Sequence, residues 1–288
     1  MKILITGASG HLGTRAVEEL SIKNEVYAVV RSTPKATKRN VVYQAIDFSS
    51  DWSSEVLPNQ IDAVIHLAQS RHYREFPQQA LEVFDVNLAS TAKLLEYASR
   101  AGAKRFVLAS TGGLHRPSSS VIGEHSQIDP PDGPLAHYFR CKQAAELLTT
   151  SYESLMDISI LRPFFMYGPG QQADKLIMRL VESIRKDQPI KLTGSDGLII
   201  NPIFVDDVVN LLIAILDAPG SRTVITAGPD IVSIRTIAEV IGAQLGRSPI
   251  FEKIDGDEGR LIADHRAVEA LLGRGLTGFA EGISQLLQ

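Results

Sequence analysis

The sequence predicts an α/β protein: a doubly wound parallel Rossmann sheet with a small C-terminal substrate lobe. Three observations predict it. Short, near-continuous apolar runs alternate with amphipathic helical stretches, a glycine-rich turn directly follows the first run, and the alternation breaks down after Leu161. The 288 residues suffice for one large core with a smaller lobe appended. Their composition, 44% hydrophobic and 22% charged, is that of a folded globular chain.

Taken in order, residues 2–6, 25–30, 41–46, 63–67, 105–109 and 157–161 read as strands, mostly apolar throughout because both faces of a parallel sheet are covered. Between them, residues 12–21, 87–101 and 135–152 carry helical periodicity. Beyond the turn cluster Gly168-Pro169-Gly170, helices are predicted over 176–186, 206–216 and 234–245, the last stopped by Gly246. Short strands fall at 189–192 and 223–226. The expected division is a dinucleotide-binding domain over 1–163, to which 198–228 returns, and a small lobe from 164–197 and 229–288.

A net charge of −4 gives no reason to expect nucleic acid or an anionic membrane as partner. The single cysteine, Cys141, excludes an internal disulfide and a thiolate metal cluster, and the seven histidines show no metal-site spacing. The start turns to Thr6-Gly7 before a signal segment develops, and the stretch 208–216 is too short to span a bilayer. The expected location is therefore the cytoplasm.

Gly7-Ala8-Ser9-Gly10-His11-Leu12-Gly13 places glycines three apart between a strand and a helix. Glycine permits a sharp turn and lets backbone N–H groups approach a pyrophosphate at the helix's positive end; the alternative is a plain strand-to-helix turn. After the second strand, an acid would hold the ribose hydroxyls of NAD and a cation would accommodate the extra phosphate of NADP. Arg31 stands there, followed by Lys35, Lys38 and Arg39 with no acid before Asn40. NADP is favoured, with NAD the alternative; Lys38 and Arg39 also read as a solvated loop.

Tyr138 and Lys142 lie four apart in a helical segment, hence on one face. A phenol titrates near 10, and a neighbouring ammonium is expected to favour its ionised form and make it a usable acid–base group. The pair alone is a common exposed helix motif. Its context is the strand 105–109, which ends in Ser110-Thr111-Gly112-Gly113, putting hydroxyls where a parallel sheet opens its ligand crevice.

From Met1 to about Leu216 these residues resemble the extended branch of the short-chain dehydrogenase/reductase superfamily, its NAD(P)-dependent epimerase/dehydratase-like group. The resemblance implies that Gly7, Ser9, Gly10, His11, Leu12, Gly13 and Arg31 bind the dinucleotide, with Asp47-Phe48 at the position of the family's adenine contact. His66-Leu67-Ala68-Gln69 resembles an H-L-A-A segment, implying cofactor contacts from Leu67, Ala68 and Gln69. Asn87 resembles the asparagine opening the central helix; Ser110, Tyr138, Lys142 and Pro163 complete the implied cofactor set. Leu161-Arg162-Pro163, Tyr167-Gly168-Pro169 and Val205-Asp206-Asp207-Val208 echo further family segments. By resemblance, hydride passes between the nicotinamide and a substrate carbon while Tyr138 moves the proton, Lys142 holds the ribose and Thr111 orients the substrate oxygen. Ser110, Gly112, His115 and Phe165 would border the substrate.

Departures narrow the activity. The family's dehydratases carry Asp-Glu after the active-site threonine, where this chain has Gly112-Gly113. Nucleotide-sugar epimerases of the family place an asparagine at Phe165 and an arginine at Ile200 to contact a diphosphate. Phe164, Phe165 and Met166 read either as an apolar pocket or as core. His115 reads first as an exposed loop histidine, Asp206 and Asp207 as helix-start acids, and Asp255, Asp257 and Glu258 as a solvated turn or, alternatively, a lid.

The sequence therefore predicts an NADP-favouring oxidoreductase acting on a secondary alcohol or ketone of a small or sugar-derived molecule. The alternative is an NAD(P)-dependent sugar or nucleotide-sugar epimerase, and after it a non-catalytic NADP(H) sensor, which retention of Tyr138 and Lys142 disfavours. The resemblance also implies a homodimer through helices 87–101 and 135–152.

Overall fold

The structure is a computed structural model that describes residues 1–256 and 258–288. In chain order its first elements are β1 (Lys2–Thr6), α1 (His11–Leu20), β2 (Glu25–Val30), β3 (Val41–Ala45), β4 (Ala63–His66), α2 (Ala80–Phe84), α3 (Ser90–Arg100) and β5 (Arg105–Ala109). There follow α4 (Ala136–Thr150), β6 (Asp157–Pro163), α5 (Leu176–Arg185), β7 (Ile190–Thr193), β8 (Ile199–Ile200), α6 (Val205–Asp217) and β9 (Arg222–Thr226). The chain ends with β10 (Val232–Ser233), α7 (Ile234–Leu245), β11 (Phe251–Ile254), β12 (Arg260–Leu261), α8 (Arg266–Leu272) and α9 (Phe279–Leu287).

Seven strands form the main sheet in the order β3-β2-β1-β4-β5-β6-β9. The five pairings from β3 through to β6 are parallel. The order reverses between β1 and β4, so the crevice beyond their carboxyl ends is the place where such a sheet binds a ligand. Central strands are apolar because helices cover both faces: Ile3, Leu4 and Ile5 of β1 and Val64 and Ile65 of β4 are wholly buried.

The described residues divide into two compact units, one of 1–114, 129–162 and 209–224, the other of 115–128, 163–208 and 225–288. The first has its core around Leu4, Val64, Leu94, Phe106 and Ile158. The second packs Phe164, Tyr167, Val181, Phe204, Ile237 and Ile283, beside a three-stranded sheet β10-β8-β12 and the parallel pair β11-β7.

The central helix differs from its predicted span. It begins at Ala80, and a π-helical turn over Asp85–Ala89 joins α2 to α3. Asn87 in that turn, and Ser90 and Thr91 just after it, donate back to the carbonyls of Val83, Val86 and Asn87. Such side-chain bonds offer the backbone an alternative to regular helical pairing. Among the described residues no helix is long and apolar enough to cross a membrane.

Candidate active site

The glycine loop is fitted to its surroundings. Gly7 has φ +65°, and a Cβ there would lie 2.7 Å from the backbone at Leu67 and Ala68. A Cβ on Gly13 would come within 2.1 Å of the Gly7 carbonyl oxygen, so α1 can approach the loop only through glycine. Helix α1 starts after Gly10 with no side-chain cap and no acid in its first turn. Ser9 is exposed, His11 half-buried and Leu12 buried. An uncompensated positive helix end behind a glycine bend fits the pyrophosphate of a dinucleotide.

Arg31 is exposed at the end of β2. Asp47 is exposed after β3, its carboxyl held below the usual range chiefly by hydrogen bonds from the Ser49 hydroxyl and N–H, with help from Arg31. Phe48 instead turns into the core, edge-on to Trp52. At the end of β4, His66 bridges Thr6 (2.6 Å) and Thr91 (3.1 Å). Burial, aided by the charge of Lys142, holds this imidazole near pKa 3, so it is neutral and structural. Ala68 N–H donates to Thr6 Oγ1. Asn87 is buried in the π turn, its Oδ1 without a partner.

Beyond β5, the Ser110 hydroxyl is buried without a partner, and Thr111 Oγ1 accepts from Gly113 N–H. Gly112 is buried, and a Cβ on Gly113 would strike the Phe139 ring at 2.4 Å. An acid pair of the dehydratase kind cannot be seated there while Phe139 keeps its place. On α4, Tyr138 and Lys142 are both buried. The Tyr138 hydroxyl donates to Gln69 Oε1 at 3.0 Å, and Lys142 Nζ donates to the Ala109 carbonyl at 2.8 Å.

The electrostatics differ from the predicted picture. Burial first, then Tyr73, raise the phenol above its ordinary value, opposed by a hydrogen bond with Thr111. Burial lowers Lys142 to about 8, with Glu146 opposing. The expected acidification of the phenol is not present, because its desolvation dominates.

The remaining candidates belong to the second unit. His115 is buried rather than exposed, with Nδ1 3.1 Å from the Gln127 carbonyl and its ring stacked on Phe164. Pro163 ends β6. Phe164 is core, while Phe165 is half-buried with φ +48°. Asparagine tolerates that left-handed backbone and phenylalanine is strained in it, so the bend suits the asparagine that the resemblance implies at this position. Ile200 is wholly buried. Asp207 is engaged by Arg274 and by Thr277 N–H. Glu258 accepts from the N–H groups of Ser195 and Asp196, clamping a turn; Asp257 lies outside the described residues.

Sequence reasoning missed two contacts. One is the meeting of Gln69 with Tyr138 across the fold. The other is the buried pair of Glu146 with Arg162, whose partners lie on a helix and a strand with no spacing in the sequence to link them.

Comparison with known proteins adds a family. The profile of the NAD dependent epimerase/dehydratase family matches residues 3–228. A UDP-glucuronate 4-epimerase of Thermodesulfobacterium geofontis (strain OPF15) is 29% identical over 263 residues, covering 85% of this chain and 80% of the relative. The solved structure of MoeE5 in complex with UDP-glucuronic acid and NAD superposes with a TM-score of 0.86 at 28% identity, over 100% of this chain and 98% of that one. A UDP-glucuronic acid 4-epimerase from Bacillus cereus, at 23% identity and a TM-score of 0.85, shares the fold over 99% of this chain and 98% of its own.

Proposed function

The chain belongs to the NAD dependent epimerase/dehydratase family, enzymes of the short-chain dehydrogenase/reductase type, and from that premise we propose that it moves hydride at a secondary alcohol or ketone carbon of a sugar-derived substrate. The observation that carries the reading is the buried Tyr138, with Lys142 one helical turn on and Thr111 against the phenol, at the carboxyl end of β5. The bound dinucleotide would supply or accept the hydride. Tyr138 gives its proton to the substrate oxygen, or takes it back, and the Thr111 hydroxyl orients that oxygen. Lys142 supplies the positive charge that opposes the phenol's desolvation once the substrate oxygen has taken the proton.

NADP is the proposed partner, supported by the exposed Arg31 at the position where an acid would select NAD. The relatives, one named for a UDP-glucuronate reaction and one solved with NAD, favour a second reading: epimerisation of a nucleotide sugar by oxidation and re-reduction. Against it stand Phe165 and Ile200, apolar where the diphosphate contacts are expected. Net consumption of NADPH with a ketone supports the first reading; interconversion of epimers without an absorbance change supports the second. In either case Tyr138→Phe should retain dinucleotide binding while turnover falls at least ~100-fold. Undiminished turnover overturns both.

A homodimer through helices 87–101 and 135–152 is part of the proposal. Exposed Leu147 and Leu148 on α4 support it as apolar surface, and exposed Leu81 and Phe84 on α2, just before 87–101 and packed on α4, extend that surface.

A further inference from the structure

Gln69 is an exposed residue whose side chain closes on a buried one. Tyr138 is 6% exposed, yet its hydroxyl donates to Gln69 Oε1 at 3.0 Å. The backbone on either side of Gln69 is pinned. Ala68 N–H donates to Thr6 Oγ1, and the buried Ser70 hydroxyl donates to the Glu82 carboxylate while accepting from His72 N–H at 2.9 Å. Four residues after Gln69, the Tyr73 ring packs against Tyr138 with centroids 5.2 Å apart. The segment after β4 thus holds one carboxamide over one phenol.

We propose that Gln69 is a positioning residue for Tyr138, its carboxamide oxygen keeping the phenol protonated and its O–H directed outward until a substrate oxygen replaces that acceptor. The inference rests on the acid–base reading of Tyr138 and deepens it. A phenol has one proton to give. A hydrogen bond donated by the neutral form disfavours ionisation, so the acceptor opposite the hydroxyl helps to fix the proton's affinity as well as its direction. An alanine at this position, as in the family segment that Gln69 resembles, has no such acceptor.

The test replaces the acceptor in both senses. Protein carrying 3,5-difluorotyrosine, whose fluorines acidify the phenols, is titrated by fluorine NMR, and the Tyr138 signal is assigned by its loss in Tyr138→Phe. Gln69→Ala removes the acceptor and should lower the Tyr138 midpoint. Gln69→Glu installs a carboxylate and should raise it by about one pH unit or more. Ser70→Ala, which loosens the pinned segment without touching the amide, should move the midpoint in the alanine direction by less. The alkaline limb of kcat/KM in unlabelled protein should shift in the same order. Midpoints that stay put in both Gln69 variants overturn the inference, as does a shift of the same sign in both. Turnover surviving in Tyr138→Phe removes the acid–base reading and the inference with it, even where the fluorine midpoints move, so the two failures are told apart.

Discussion

Glu146 and Arg162 meet in two hydrogen bonds, Nε to Oε1 at 3.0 Å and Nη2 to Oε2 at 2.7 Å, with side chains only 6% and 7% exposed. The pair fastens α4, which carries Tyr138 and Lys142, to β6 at the centre of the first unit. Arg162 Nη1 is already buried without a partner, so the guanidinium has little else to turn to.

Removing one member should therefore cost far more than removing both. Glu146→Ala leaves an uncompensated buried cation and is expected to cost about 3–5 kcal/mol in urea unfolding. The double variant Glu146→Leu with Arg162→Met, which replaces both charges by apolar groups, should recover most of that loss. A single variant less than about 1 kcal/mol weaker than the parent would mean that water reaches the guanidinium.

Lys142 should weaken the fold that it serves. Its drop from 10.5 to about 8 has burial as the first cause and corresponds to about 3 kcal/mol. Below pH 8 both states are protonated and the folded state bears the full burial cost. Between 8 and 10.5 the folded state releases its proton first, so stability gains with rising pH. Lys142→Met, which loses the bond to Ala109, should be about 1–3 kcal/mol more stable at pH 7 and inactive. The stability gap should close on titration towards pH 10.5. A variant less stable than the parent at pH 7 contradicts the burial cost.

His66 gives the complementary acid dependence. Its folded value near 3 lies below the ordinary imidazole value of 6.5 because the ring is desolvated among Thr6 and Thr91. The unfolded chain therefore binds one more proton between those limits, and stability falls as pH drops through 6.5 towards 3. His66→Gln should be less stable at pH 7 but lose less on acidification. Parallel stability–pH curves for the two proteins would show that this imidazole does not titrate in unfolding.

Much of this architecture is legible from local pattern, and the exceptions share a cause. The strands β1, β2 and β5 occupy their predicted spans because apolar runs between turns leave little freedom in where they end. The two-residue strands β8, β10 and β12 are too short to show a period, and they exist only because they pair with each other. The start of α2 is hidden by the polar stretch before it, and the π turn leaves no trace in hydrophobic spacing. In the site, the spacing of Tyr138 and Lys142 can be read directly. The bond from Tyr138 to Gln69 joins positions 69 apart, and no helical or strand period links them. The burial of His115 has the same origin, in its stacking on Phe164.

Arg31 offers the sharpest test of the dinucleotide. It is exposed, directly follows β2 and shares its field with Asp47 after β3. A 2′-phosphate held by its guanidinium gains a charge-assisted bond worth about 1.5–3 kcal/mol, roughly ten- to a hundredfold in affinity. Arg31→Ala should weaken NADPH binding by that factor and leave NADH nearly unchanged, since NADH has no such phosphate. Arg31→Asp should go further, repelling the phosphate while offering a carboxylate to the ribose hydroxyls, so that preference turns to NADH. Because the arginine is exposed, the parent's affinity for NADPH should fall steeply between about 0.05 and about 0.5 M salt while NADH binding stays flatter. Equal loss of both dinucleotides in Arg31→Ala would assign the residue to the loop's fold, and an unchanged NADPH affinity would return the cofactor to NAD.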